Sequence, residues 1–218
     1  MSGGRKRVVA FISGGGSNML ALAKACEAGE YPAEIVAVFS DKPEAGGLAK
    51  AQALGLPTRV FERKAYGSKA EHEAAILAAL AEIGPDLTCL AGYMRLLSGE
   101  FIRAYEGRIL NIHPSLLPLF PGLHTHQRAL DAGMKVAGCT VHFVTEGMDE
   151  GPVIAQSVVP VLIDDTAETL AARVLTVEHK TYAAALKLVA SGNVSMRADG
   201  TVERLGSETD ASATLISA

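Results

Sequence analysis

The chain has 218 residues, of which 49% are hydrophobic and 20% charged, and its formal net charge is -4. That length supports one sizeable core, and the slight acidity gives no overall attraction for nucleic acid or an anionic membrane surface. No run approaches the roughly 20 apolar residues of a membrane span, and the basic Arg5-Lys6-Arg7 leads into an apolar run, Val8 to Ile12, that three glycines cut short before it reaches signal-peptide length. Cys26, Cys89 and Cys139 have no metal-like spacing and leave one thiol over in any disulfide scheme, so a reducing cytoplasmic compartment is expected. In chain order, "RVVAFIS", "EIVAVFS", "TRVFE", "DLTCLAG" and "RILNIH" read as strands, each followed by a turn or cap and a helical stretch. This rhythm predicts a single α/β domain with a mostly parallel, Rossmann-like sheet flanked by helices. The helix after the third strand opens on a capping box, Ser68 with Glu71, and stops at Gly84-Pro85. Beyond Gly122 a short helix to Asp131 precedes "KVAGCTVHFVTE" and "GPVIAQSVVPV", two extended runs expected to pair as antiparallel neighbours. A long helix from Thr166 to about Val189 is read with Leu170, Val174, Val177, Ala184 and Leu188 on its buried face. "NVSMRADGTVERL" reads as a hairpin around Asp199-Gly200, and residues 206–218 as a disordered tail beyond a domain spanning 1–205.

Two stretches carry chemistry. In "AFISGGGSNMLALAKAC", Gly14, Gly15, Gly16, Ser17 and Asn18 stand between a strand and a helix, where loop and helix N–H groups converge on an anion. The loop has neither the Gly-Lys-Ser/Thr ending of a Walker A motif nor a clean G-x-G-x-x-G, and Asp41 only loosely matches the acid of a dinucleotide site, so a monophosphate fits better than a dinucleotide. The plainer alternative is a tight strand-to-helix turn capped by Ser17 or Asn18.

In "ILNIHPSLLPLFPGLHTH", Asn111 and His113 interrupt an apolar strand just before a loop stiffened by Pro114, Pro118 and Pro121. Residues i and i+2 of a strand face the same side, so an amide and an imidazole at the carboxyl end of a parallel strand are placed to donate to one developing oxyanion. The alternative is a hydrogen-bonded pair that pins the proline loop. His124 and His126 lack the thiolate or carboxylate companions of a zinc site, and no metal is expected. Glu146, Asp149 and Glu150, in the loop after the sixth strand, are the acids able to hold His113 cationic, and spacing alone does not choose among them.

With "SGGGSN", "AVFSDKPEAGGLAKA", "LAGYMRLLS", "ILNIHPSLLPLFPGLHTH", "GCTVHFVTEGMDEGPVI" and "ARVLTVEHKTY" in view, the chain from about residue 7 to 190 resembles the phosphoribosylglycinamide formyltransferases of the folate-dependent formyltransferase family. The resemblance implies that 10-formyltetrahydrofolate gives its formyl group to the amine of glycinamide ribonucleotide in purine synthesis, with no metal and no covalent enzyme intermediate. It assigns catalysis to Asn111, His113 and Asp149, and the ribonucleotide to Gly16, Ser17, Asn18 and Glu178. The folate falls to Lys69, Met94, Arg95, Leu96 and Leu97, with Asn111 and the loop Thr145, Glu146, Gly147, Met148 and Asp149. It thereby puts the phosphate in the N-terminal half and the folate site in the C-terminal half. Two departures stand out: Lys69 where relatives often carry Arg, which removes a bidentate fork for carboxylate, and Gly15 where some carry Asn.

Rivals sharing the Asn-His-Asp set, a methionyl-tRNA formyltransferase or a formyltetrahydrofolate hydrolase, carry an extra domain for which this length leaves little room. The acidic charge also sits poorly with tRNA. A non-catalytic nucleotide-binding module would keep the glycine loop without needing the polar triad. The expected partners are therefore small molecules, with no nucleic acid or membrane, for a monomer or homodimer.

Overall fold

The computed structural model describes residues 4–205, so the expected tail lies outside the described residues. The first half runs β1 (Lys6–Ile12), α1 (Ser17–Cys26), β2 (Ala33–Ser40), α2 (Gly46–Ala53), β3 (Thr58–Val60), α3 (Lys69–Ile83) and β4 (Leu87–Leu90), with a 3-10 turn at Arg63–Ala65. The second runs α4 (Gly99–Ala104), β5 (Ile109–His113), α5 (Thr125–Asp131), β6 (Val136–Phe143), β7 (Val153–Pro160), α6 (Ala167–Ala190), β8 (Val194–Met196) and β9 (Val202–Arg204). A seven-stranded sheet has the order β3-β2-β1-β4-β5-β6-β7. β1 to β5 pair in parallel, whereas β6 is antiparallel to β5 and β7 to β6, as the two extended runs predict. β8 and β9 form the separate hairpin.

Period-two geometry explains why β1 is apolar throughout. Val8, Ala10 and Ile12 face a core shared with α1, α2 and α6, while Val9 and Phe11 face a second core with α3 and α4. Phe11 meets Phe39, Tyr93 and Phe101 edge-on with ring centroids 5.4, 5.3 and 6.5 Å apart. Truncating it to Ala would cost about 3 to 5 kcal/mol. The three cysteines are free and buried, and burial pushes all three thiols up, Cys26 and Cys139 to about 11 and Cys89 to about 12, so none is a poised nucleophile.

The helices follow the sequence with two corrections, one to a cap and one to a buried face. Ser68 caps α3 by accepting from the Glu71 amide at 3.1 Å, but the Glu71 carboxylate reaches back to the Gly67 amide at 3.0 Å, one residue earlier than a standard box. Gly84, in the left-handed conformation, closes the helix. On α6 the buried stripe runs through Leu170, Val174, Glu178, Thr181, Tyr182 and Ala185, with Val177 and Leu188 only partly buried and Ala184 exposed. Counting only apolar side chains misaligned the face, because two of its buried members are polar. Tyr182, fully buried on α6, donates to the carbonyls of Leu90 and Leu110, 3.2 and 3.0 Å away, and ties the helix to β4 and β5. From β1 the chain moves outward to β2 and β3, then returns to β4 on the other side. The crevice outside the carboxyl ends of β1 and β4 is the switch point where ligands bind in such sheets.

Candidate active site

β1 delivers the glycine loop to one side of this crevice. Gly16 has φ 70°, and a Cβ there would stand 2.8 Å from the Gly47 Cα, so glycine is required both by conformation and by the close approach of α2. The Gly47 amide donates to the Gly14 carbonyl at 3.0 Å and Lys50 Nζ to the Gly15 carbonyl at 2.9 Å, which draws both carbonyls toward α2. No side chain caps α1, so the helix presents its leading N–H groups, beginning with Ser17, to an anion.

The Asn18 side chain does not serve as that cap. Its Nδ2 donates to Glu178 Oε2 at 2.7 Å, joining α1 to α6 across 160 positions of sequence, with both residues buried. Burial is the main cause that pushes the Glu178 carboxyl up, opposed by this bond and by the charges of His179 and His113. The Asn18 Oδ1 is buried without a hydrogen-bond partner, which leaves an acceptor beside Glu178 for a donor from outside the protein.

The second side of the crevice is the polar centre. β5 brings Asn111 and His113 to its carboxyl end, and the antiparallel register sets Asn111 directly opposite His142. A shift in the β6–β7 register at Val141/His142 re-aims that part of β6, and the tight loop behind it leaves no space at Gly151, where a Cβ would lie 1.7 Å from the Phe143 carbonyl oxygen. The loop returns Asp149 toward the strand ends. Asp149 Oδ2 lies 3.4 Å from His113 Nδ1 and accepts the Gly122 amide at 2.8 Å. The other His113 nitrogen, Nε2, donates to the Phe120 carbonyl at 3.0 Å, so each ring nitrogen faces an acceptor. His113 thus does pin the proline loop as well, although Thr140 and Gln156 hold that loop more firmly through Leu117 and Ser115. Asp149, Phe120 and His124 have φ 58°, 54° and 57°, left-handed values that cost a side chain energy and cluster in the segments closing on His113.

His142 is the member that sequence reading missed. Its Nδ1 donates to the Phe143 carbonyl at 2.9 Å, leaving Nε2 bare to accept Asn111 Nδ2 at 3.1 Å. Burial pushes the His142 ring down from its ordinary value, against the opposing influence of the Phe143 bond and Asp149. The ring is therefore neutral, and the 3.9 Å separation of its Nε2 from Asp149 Oδ1 is no ion pair. His142 fixes the Asn111 amide by accepting one of its two N–H groups, which leaves the other to donate elsewhere. The signal was present: a His between Val141 and Phe143 interrupts an apolar strand just as Asn111 and His113 do.

The remaining expected residues make their contacts elsewhere. In the loop after β4, Met94 and Leu96 are exposed, Leu97 is half-buried, and Arg95 turns back to Asp41. Lys69, exposed at the start of α3, stands 3.7 Å from Glu73, which also takes the Ser98 amide at 2.9 Å and so links α3 to that loop. Of the loop Thr145–Asp149, Met148 is exposed and reaches Gly122, Glu146 pairs with Arg103, and Gly147 is crowded by the Glu150 side chain. His124 and His126 do not join the triad in a metal cluster among the described residues.

Comparison with known proteins bears on the chain as a whole. Residues 6–186 match the formyl transferase family. The trifunctional purine biosynthetic protein adenosine-3 of Gallus gallus is 50% identical over 90% of this chain, which spans only 20% of that protein's length. The phosphoribosylglycinamide formyltransferase of Escherichia coli is 42% identical over 87% of this chain and 89% of its own. The crystal structure of phosphoribosylglycinamide formyltransferase from Brucella melitensis is 72% identical, with a TM-score of 0.84 over 86% of this chain and 97% of that one. Family match, fold and relatives agree, and this chain belongs to the formyl transferase family.

Proposed function

We infer that the protein transfers the formyl group of 10-formyltetrahydrofolate to the amine of glycinamide ribonucleotide, giving formylglycinamide ribonucleotide and tetrahydrofolate in purine biosynthesis. The observation that carries this reading is the convergence of Asn111, His113 and Asp149 from β5 and the loop before β7, beside a glycine loop whose helix no side chain caps. Attack of the amine on the formyl carbon builds negative charge on the formyl oxygen. Asn111, oriented by His142, and cationic His113, held by Asp149, are the donors that meet it, and removing one such donor costs roughly 3 to 4 kcal/mol of barrier. To donate there, His113 gives up its bond to the Phe120 carbonyl when the substrates arrive. Asp149 then helps carry the amine proton to the departing folate nitrogen. Gly16, Ser17 and the Asn18 amide hold the phosphate and Glu178 the glycinamide end. Met94 to Leu97 and the loop Thr145 to Met148 hold the folate ring system, with Lys69 at its carboxylate tail. On this reading the enzyme works in the cytoplasm on two small molecules, and none of its described helices is long and apolar enough to cross a membrane.

The test is an absorbance assay with a 10-formyl folate analogue, run with and without glycinamide ribonucleotide. Turnover that requires the ribonucleotide is the expected result. Release of formate without it would assign the chain to hydrolysis instead, and no turnover in either case would leave a binding module.

A further inference from the structure

Asp41 follows β2 and has no part in the chemistry above, yet its carboxylate is only 3% exposed and both oxygens are engaged. Oδ1 accepts the Ser13 hydroxyl at 2.6 Å, and Oδ2 accepts Arg95 Nε at 2.6 Å. Ser13 Oγ in turn accepts the Met94 amide at 2.8 Å, and the Ser13 amide donates to the Gly92 carbonyl at 3.1 Å. Ser13 is the residue from which the glycine loop departs; Met94 and Arg95 begin the loop assigned to the folate. One buried carboxylate therefore holds the roots of two loops that serve different substrates. With almost no water to replace a lost partner, each of these bonds is expensive to leave unmade. The charge is felt nearby: after burial, Asp41 is the largest influence pushing the Tyr93 hydroxyl up.

We propose that Asp41 is a positioning residue shared by both substrate sites, setting the glycine loop and the loop after β4 in register through Ser13, Arg95 and the Met94 amide. The proposal rests on the reading that these loops bind the ribonucleotide and the folate. It predicts effects that cross between the sites. Asp41→Asn, near in shape but neutral, loosens Arg95 and raises KM for both the 10-formyl folate analogue and glycinamide ribonucleotide roughly tenfold, while kcat stays within about twofold. Ser13→Ala, which leaves the carboxylate–guanidinium pair in place, raises KM for the folate analogue severalfold although Ser13 lies on the ribonucleotide side; it reads the same coupling where Asp41→Asn reduces soluble yield. Asp41→Asn and Ser13→Ala combined fall short of the product of the single effects, since both act on one network. A change in only one substrate's KM, a fall in kcat alone, or effects that multiply independently would overturn the proposal. A wild-type enzyme without ribonucleotide-dependent turnover defeats the underlying reading and this inference with it; an active wild type with a kinetically unchanged Asp41→Asn defeats only this inference.

Discussion

The glycine loop and the polar centre face one crevice but are made of different material. Between β1 and α1 the groups proposed to bind are backbone N–H donors, and the side chains that matter are those that are missing: Gly16 lies 2.8 Å, by its would-be Cβ, from Gly47. Between β5 and β6 the backbone is occupied with strand pairing and the working groups are side chains, linked from Phe143 through His142 to Asn111 and from Phe120 through His113 to Asp149. The first region is vulnerable to added atoms and the second to deleted ones.

The sharpest way to test this contrast is deletion at the centre. His113→Ala and Asp149→Asn should each reduce formyl transfer by roughly a thousandfold at unchanged circular dichroism, because on the proposed mechanism the first removes a donor to the oxyanion and the second the carboxylate that holds that donor and helps move the amine proton. Full activity in either purified variant would dissolve the assignment. Addition at the loop comes next. Gly16→Ala places a methyl group against α2 and forces a left-handed conformation costing about 1 to 2 kcal/mol, so KM for the ribonucleotide should rise more than tenfold while KM for the folate analogue stays put. Equal increases in both constants would mean that the loop holds the whole crevice rather than an anion.

A smaller effect separates the two halves of the centre. His142→Leu keeps the buried volume but leaves the Asn111 amide without its acceptor, and kcat should fall about tenfold with both KM values nearly unchanged. Acid should imitate it. The folded protein holds His142 below its ordinary value, so the unfolded chain binds the extra proton first; the stability from neutral His142 is complete above about pH 6.5 and is lost as pH falls toward the folded value. His126, also lowered by burial, contributes with the same sign. The melting midpoint should drop between pH 7.5 and 5.5, and His142→Leu should flatten that slope.

Both regions were legible in the sequence for physical reasons that differ. Three glycines between a five-residue apolar run and a helical pattern signal a backbone turn, and polar residues at i and i+2 of an apolar strand signal a face turned toward chemistry. What single-strand periodicity does not contain is pairing across strands. The opposition of Asn111 and His142 arises only because β6 runs antiparallel to β5 in a particular register. The selection of Asp149 over Glu146 and Glu150 came from resemblance rather than spacing; in the structure Asp149 lies against His113, while Glu146 pairs with Arg103 and Glu150 packs on Gly147. The stripe on α6 was misread for a related reason: Glu178 is buried because Asn18, distant in sequence, supplies its hydrogen bond.

The smallest expected effect lies outside both regions, at Lys69. Its ammonium is half-exposed and 3.7 Å from Glu73, a separation at which water and salt weaken any pairing. If it meets the carboxylate tail of the folate, it does so as a point charge rather than a fork. Lys69→Met should then raise KM for the folate analogue only severalfold at low salt, with no change for the ribonucleotide, and the difference should fade near 0.5 M salt as exposed charges are screened. Lys69→Arg should equal or improve on the wild type, because a guanidinium adds the bidentate geometry that lysine lacks. An effect that survives high salt would mean instead that the Lys69 stem packs against the ligand, and the carboxylate contact would have to be reassigned.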